Sequence, residues 1–310
     1  MSIPFALTIL GSGGALPVQD KNPSCQYLQI GSSGILIDTG EGVQKQLLKF
    51  GISHHKINYV FISHLHGDHY LGLMGLLFSM HLSGRKQDLH IWSHTGLDEI
   101  IIIQLKHAGS VLSYPVHFHH LEKNKTETIL ETEIFSVITI PLKHRVPCSG
   151  FLFREKRGPY RIKKESIPSE MKLVQLIQLK SGSSVLKENG EVLYELEKYT
   201  LPPHPVKSYA YCSDTAPDDT VAGLIFGTDL IYHEATFMTS DEKRAAETFH
   251  STAAQAAEIA VKAGAKKLLI GHISARYKEQ SQLLEEAKAI FPNTLIASEG
   301  MIVNLRTLGN

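Results

Sequence analysis

The chain has 310 residues, 43% of them apolar and 20% charged, enough for a large core in one domain or two smaller ones. Lys plus Arg and Asp plus Glu both number 31, so no whole-molecule field draws the chain to nucleic acid or membrane; any polyanion must be met by a local patch. Cys25, Cys148 and Cys212 are scattered and odd in number, which argues against a disulfide framework or a Cys-rich zinc site and predicts a reducing, cytoplasmic compartment. The start, "MSIPFALTILGSGG", has no basic region ahead of its apolar run, so no signal peptide is expected. No apolar run nears the ~20 residues a membrane helix needs, and no membrane partner is expected.

In chain order, strands and helices alternate. "ALTILG" predicts a first strand entering a turn at Gly11, Gly13 and Gly14, and "GILIDTG" a strand ending on Asp38. "EGVQKQLLKFG" predicts a helix closed by Gly51. "INYVFI" is a buried strand, and "YLGLMGLLFSM" begins a buried helix. "LHIWSH" reads as a strand, "GLDEIIIIQLKHAG" as a helix, and "IFSVITIPLKH" and "SGFLFRE" as strands. Later strands are "VKSYAYCSD", ending near Asp214, a run in "GTDLIYHEATF" ending at His233, and "KKLLIGH", delivering His272. "STAAQAAEIAVKAG" is the clearest helix, with an apolar stripe of Ala253, Ala256, Ala257, Ala260 and Val261 and a capping box of Thr252 with Gln255. "SQLLEEAKAIF" is the last helix.

Between "INYVFI" and its helix stands "SHLHGDH", residues 63–69. Three imidazoles and a carboxylate on one strand-to-helix loop match divalent-metal ligand chemistry, at the place where α/β proteins put their sites. His144, Asp214 and His272 also stand just past apolar strand runs, and strand ends along one sheet edge converge. Seven candidates, His64, His66, Asp68, His69, His144, Asp214 and His272, exceed one tetrahedral ion and suit two, with Asp214 shared.

"SHLHGDH" resembles the signature of the metallo-β-lactamase superfamily. With "SDT" at 213–215, "HEATF" at 233–237, "HSTAAQAA" at 250–257 and "GHISARY" at 271–277, the chain is similar to short-form tRNase Z (ribonuclease Z) from about Leu7 to Val303. The resemblance implies an α/β metallo-β-lactamase fold: a four-layer αβ/βα sandwich, one catalytic domain over 1–310 with a tRNA-binding arm (exosite) inserted at 154–205. It implies an endoribonuclease that cuts precursor tRNA on the 3′ side of the discriminator region, removing the trailer and leaving a 3′-OH. It also implies two Zn2+ per subunit: His64, His66 and His144 on one, Asp68, His69 and His272 on the other, with Asp214 bridging. Asp68 takes the family's general-base role, and His250 donates the proton to the leaving oxygen. Glu234 is our own candidate for orienting His250.

"REKRGPYRIKK", residues 154–164, supplies the local basic patch that a neutral chain needs. Lys156, Arg157, Gly158, Pro159, Arg161, Lys163 and Lys164 fall where the family carries an exosite with a Gly-Pro motif gripping the tRNA elbow. Arg276, in "SARY", is a candidate phosphate clamp or a surface-packing residue. The family's Pro-x-Lys-x-Arg loop is altered here to "PVQDK", with Pro17, Gln19 and Lys21 in the matching places, which forfeits bidentate Arg geometry. Precursor tRNA is the expected partner and DNA is not; the family implies a homodimer. Two rivals remain: another dinuclear-zinc hydrolase of small phosphodiesters, esters, thioesters or lactams, which leaves the arm, "HEATF" and "HSTA" unexplained, and a non-catalytic RNA-binding protein, which predicts decayed ligands.

Overall fold

A computed structural model describes residues 3–18 and 21–308. They divide into two compact units, 3–154 with 207–308, and Glu155–Val206.

The larger unit holds two seven-stranded mixed sheets. In spatial order the first contains Ile302–Asn304, Phe5–Gly11, Cys25–Ile30, Ser33–Thr39, Ile57–Phe61, Leu89–Ser93 and Val116–His120. The second contains Thr294–Ile296, Lys267–Gly271, Leu230–Glu234, Ser208–Cys212, Cys148–Glu155, Phe135–Leu142 and Thr128–Glu131. A shared core joins their inner faces: Phe5, Leu7, Ile37, Phe61 and Trp92 from one, Phe135, Phe151, Phe153, Tyr209 and Leu269 from the other. Burial of each such side chain stabilises by roughly 1.5–3 kcal/mol. Val43, Leu47, Leu76, Leu77 and Ile101 cover the outer face of the first sheet. Val221, Ala222, Ala256, Ala260, Leu283 and Ala287 cover that of the second. The order is helix, sheet, sheet, helix, the expected αβ/βα sandwich.

Four strands of the first sheet run parallel, with ends at Thr39, Phe61, Ser93 and His120. Four of the second do so too, three of them ending at Cys212, Glu234 and Gly271. The loops beyond these carboxyl ends carry most of the chemistry.

Several expectations need correction. The helix after "SHLHGDH" is broken into Gly67–Tyr70 and Leu73–Leu82. Gly72 donates to Thr39 O at 2.9 Å, and a Cβ there would stand 2.3 Å from Gly40 O, so helix and strand end meet too closely for a continuous run. In the helix Ala253–Lys262, Val261 is 51% exposed while Ile259 is buried against the neighbouring helices. The strand placed to His233 runs to Glu234, and that placed to Asp38 runs to Thr39. Thr252 and Gln255 do form the capping box.

The smaller unit is built around Met171, Leu179, Val185, Tyr194 and Tyr199. It contains the helix Leu173–Lys180 and two antiparallel pairs, Arg161–Ile162 with Thr200–Leu201 and Val185–Leu186 with Val192–Tyr194.

Candidate metal centre

The seven candidate ligands gather in two groups. His64, His66, His144 and Asp214 bring ligand atoms within 4.8 Å of one another, as do Asp68, His69 and His272. Asp214 divides its oxygens between them. Its Oδ2 lies 3.7 Å from His64 Nε2 and 3.9 Å from His144 Nε2; its Oδ1 lies 3.5 Å from His69 Nε2 and 3.4 Å from His272 Nε2. Asp68 Oδ2 stands 3.3 Å from His69 Nε2 and 3.4 Å from His272 Nε2, and accepts the Ala15 amide at 2.9 Å.

Four of the imidazoles are tied at Nδ1, which turns Nε2 toward the centre. His69 Nδ1 meets Asp38 Oδ2 at 2.7 Å, and His144 Nδ1 donates to Phe249 O at 3.0 Å. His64 Nδ1 lies 3.0 Å from Ser63 Oγ, and His272 Nδ1 lies 2.9 Å from Thr236 Oγ1. Such outer contacts fix ring tautomer and direction in metal sites. Burial holds His64, His66 and His144 below the usual imidazole range, so they are neutral donors. Burial also opposes charge on His69, but Asp214, Asp38 and Asp68 together push its proton affinity well up. His69 Nε2 and Asp214 Oδ1 are buried without hydrogen-bond partners. Orphaned polar atoms at the meeting point of two nitrogen-and-oxygen donor sets fit divalent metal ions.

His250 and Glu234 stand against this centre. His250 Nδ1 donates to Glu234 Oε1 at 2.9 Å, and His250 Nε2 is 3.9 Å from Asp214 Oδ2. Glu234 is buried and also accepts the amides of Thr215, Ser251 and Thr236. Burial lowers His250's proton affinity, but the charge and hydrogen bond of Glu234 outweigh it and raise the pKa to about 9.

Sequence reading missed the outer contacts. Asp38 is buried and accepts from Ser63 N, Ser63 Oγ and Tyr211 OH besides His69, at 2.7, 2.9 and 2.7 Å. Its strand-end position was a signal; its partner lies 31 residues away. Among the described residues, the non-glycine positions with positive φ are Ala15, Asp38, Asn124, Phe249 and His272. Ala15, Asp38 and Phe249 bond the candidate ligands Asp68, His69 and His144, and His272 is itself a candidate. Strained backbone at a site marks geometry that the surroundings impose. A Cβ on Gly14 would stand 2.8 Å from His272 O, so only glycine passes so close to that candidate ligand.

The remaining candidates lie elsewhere. Arg276 packs over the Phe237 ring at 4.9 Å and reaches Asp241 at 3.6 Å. Of the altered N-terminal loop, Gln19 lies outside the described residues, while Lys21 exchanges backbone hydrogen bonds with Val18. In the smaller unit Arg161 Nε bonds Pro202 O at 2.8 Å and Lys163 Nζ bonds Glu197 O at 2.7 Å. Arg157 covers the Tyr160 ring at 5.6 Å. Lys164 opens the turn Lys164–Ser166, and a Cβ on Gly158 would meet open space. Lys156 and Pro159 lie on the segment between Glu155 and Arg161.

A curated ribonuclease Z from Bacteroides fragilis is 43% identical over 302 residues, covering 97% of this chain and 99% of its own. One from Cytophaga hutchinsonii is 45% identical over 296 residues, covering 96% and 95%. The chain belongs to the ribonuclease Z family. Among solved structures, the short form of human tRNase Z superposes with a TM-score of 0.72 at 24% identity, covering 97% of this chain and 99% of that one. The metallo-β-lactamase fold protein YhfI from Bacillus subtilis gives 0.69 at 20% identity, covering 97% and 99%; at these identities both show the fold. A family model described as anti-Pycsar protein Apyc1 matches residues 5–157. That stretch stops before Asp214, Glu234, His250 and His272, whereas the ribonuclease Z likeness spans the whole centre.

Proposed function

We propose that this family member is a zinc-dependent endoribonuclease that removes the 3′ trailer from precursor tRNA. The observation that carries the reading is Asp214, whose two oxygens face two separate ligand groups beside the His250–Glu234 pair. Two zinc ions held there would supply hydroxide near neutral pH and neutralise charge on the phosphate. We assign His64, His66 and His144 to one ion, Asp68, His69 and His272 to the other, and Asp214 to both. Asp68 Oδ2 accepts the proton of the attacking water. The phosphorus–oxygen bond to the ribose 3′ oxygen breaks, and His250 Nε2 gives that oxygen a proton, leaving a 3′-OH on the tRNA and a 5′-phosphate on the trailer. Glu234 holds the His250 ring by Nδ1 so that Nε2 faces the reaction.

We assign the Glu155–Val206 unit as the exosite of a cytoplasmic homodimer, its basic segment meeting tRNA phosphates. Two of those basic groups also bond the unit's own carbonyls, which orders the segment before RNA arrives. The candidate Arg276 clamp is set back by its pairing with Asp241.

The reading is tested by incubating the protein with a trailer-bearing pre-tRNA, a lactam and a thioester, with metal analysis in parallel. Cleavage of the RNA alone, at one site, with two zincs per chain is expected. Turnover of the lactam or thioester without RNA cleavage would install the small-substrate reading. Replacing residues 156–200 by a short Gly-Ser linker should weaken pre-tRNA binding and flatten its dependence on salt, while hydrolysis of a small phosphodiester persists. Unchanged tRNA affinity in that protein would remove the exosite assignment.

A further inference from the structure

A cleft of about 290 Å³ adjoins the metal centre and has no part in the chemistry above. Leu142, Val146 and Phe249 line it with apolar residues, Lys123 and Lys143 supply positive charge, and His144 belongs both to the cleft and to the centre.

Phe249 is the unusual residue. It caps the helix Glu242–Thr248 with φ 59°, a left-handed position where glycine is the ordinary choice. Its carbonyl accepts from His144 Nδ1, a task any residue could perform. The residue nevertheless remains 42% exposed. The backbone strain and the exposed aromatic surface both count against the folded state, and neither is needed to hold His144. A ring offered to a ligand accounts for both.

The position of the proton donor says which part of the substrate reaches it. His250 follows Phe249 directly, and its ring centroid lies 5.3 Å from that of His144. On the RNA-cleaving reading, on which this inference rests, His250 protonates the 3′ oxygen of the nucleotide immediately 5′ of the cut. That ribose must lie against His250, and its base extends toward the neighbouring surface. We infer that the cleft receives this base, stacked on the Phe249 ring, with Lys123 and Lys143 facing the phosphate on its 5′ side. Lys143 already reaches Asp218 at 3.2 Å, which steadies its ammonium group at the rim. Apolar walls and an aromatic platform grip any base by its π-face, so the subsite is tolerant of sequence and favours the larger purines. Such tolerance suits an enzyme that meets many tRNAs.

A cycle of protein and substrate changes tests this. Pre-tRNA is prepared intact and with the nucleotide 5′ of the cut made abasic, and each is cleaved by the wild type, Phe249→Gly and Phe249→Tyr. Phe249→Gly relieves the strained backbone, so it should fold at least as stably as the wild type, as a melting curve will report. On the intact RNA it should raise KM about tenfold, in the range that losing one base–aromatic stack gives; Phe249→Tyr should stay near the wild type. On the abasic RNA the ratio between Phe249→Gly and wild type should fall to about twofold or less. A ratio equal on the two RNAs would show that Phe249 acts only through His144 and would overturn the subsite, as would an unaltered KM on the intact RNA. A wild type that leaves intact pre-tRNA uncut overturns the RNA-cleaving reading itself, and the subsite with it.

Discussion

His250→Ala is expected to lower kcat on pre-tRNA by about 10²–10⁴-fold, the range that one general acid supplies, while the metal content per chain stays unchanged. The reason lies in the two faces of the ring. Nδ1 is held by the buried carboxylate of Glu234 at 2.9 Å, and Nε2 points into the centre without belonging to either of the two main ligand groups. Burial disfavours the charged ring, Glu234 overrules it, and the resulting pKa of about 9 keeps His250 protonated at neutral pH. Bound dications would pull that value down, toward the range where the ring can both give and recover a proton. A step that needs the acid form slows as pH rises through this pKa, so the alkaline limb of the wild-type profile should vanish in His250→Ala. Turnover at the wild-type rate, with metal retained, would take His250 out of the mechanism.

Asp214→Ala should act more broadly. Because Oδ1 faces His69 and His272 while Oδ2 faces His64 and His144, its removal takes one donor from each group at once. We expect dialysed Asp214→Ala to lose most of its metal, by elemental analysis, and turnover to fall by more than ~10³-fold, both the hydroxide source and the phosphate clamp being lost. The contrast with His250→Ala is diagnostic: one variant keeps the metals and loses the acid, the other loses the metals. Full metal occupancy in Asp214→Ala would dismiss it as the shared ligand.

The centre was legible because its residues follow apolar strand runs. "INYVF", "SYAYC" and "KLLIG" each end a few positions before a His or Asp, and those ends lie together in the folded chain. What could not be read was what stands behind the ligands. Asp38 reaches His69 only because Ser33–Thr39 and Ile57–Phe61 are paired in parallel, and Phe249 reaches His144 across 105 residues. Cys25–Ile30 escaped notice because its polar Gln26 is buried, bonded to Tyr209 OH rather than exposed in alternation. Val261 was assigned inward because it lies next to the true stripe. The helices packed on the same sheet bury Ile259 instead, a tertiary effect that periodicity does not contain. In residues 155–206 the strands are only two or three residues long, too short for any hydrophobic period to emerge.

The parentage of the ligands has a mechanical corollary. His64, His66, Asp68 and His69 hang from the first sheet's Ile57–Phe61 strand, whereas His144, Asp214 and His272 hang from strands of the second. Ions seated among them would tie the two sheets of the sandwich together. A tie that grips only the native arrangement adds RT ln(1 + [L]/Kd), about 2.7 kcal/mol when free metal stands a hundredfold above Kd. Any metal taken up among these residues would thus set resistance to unfolding along with turnover.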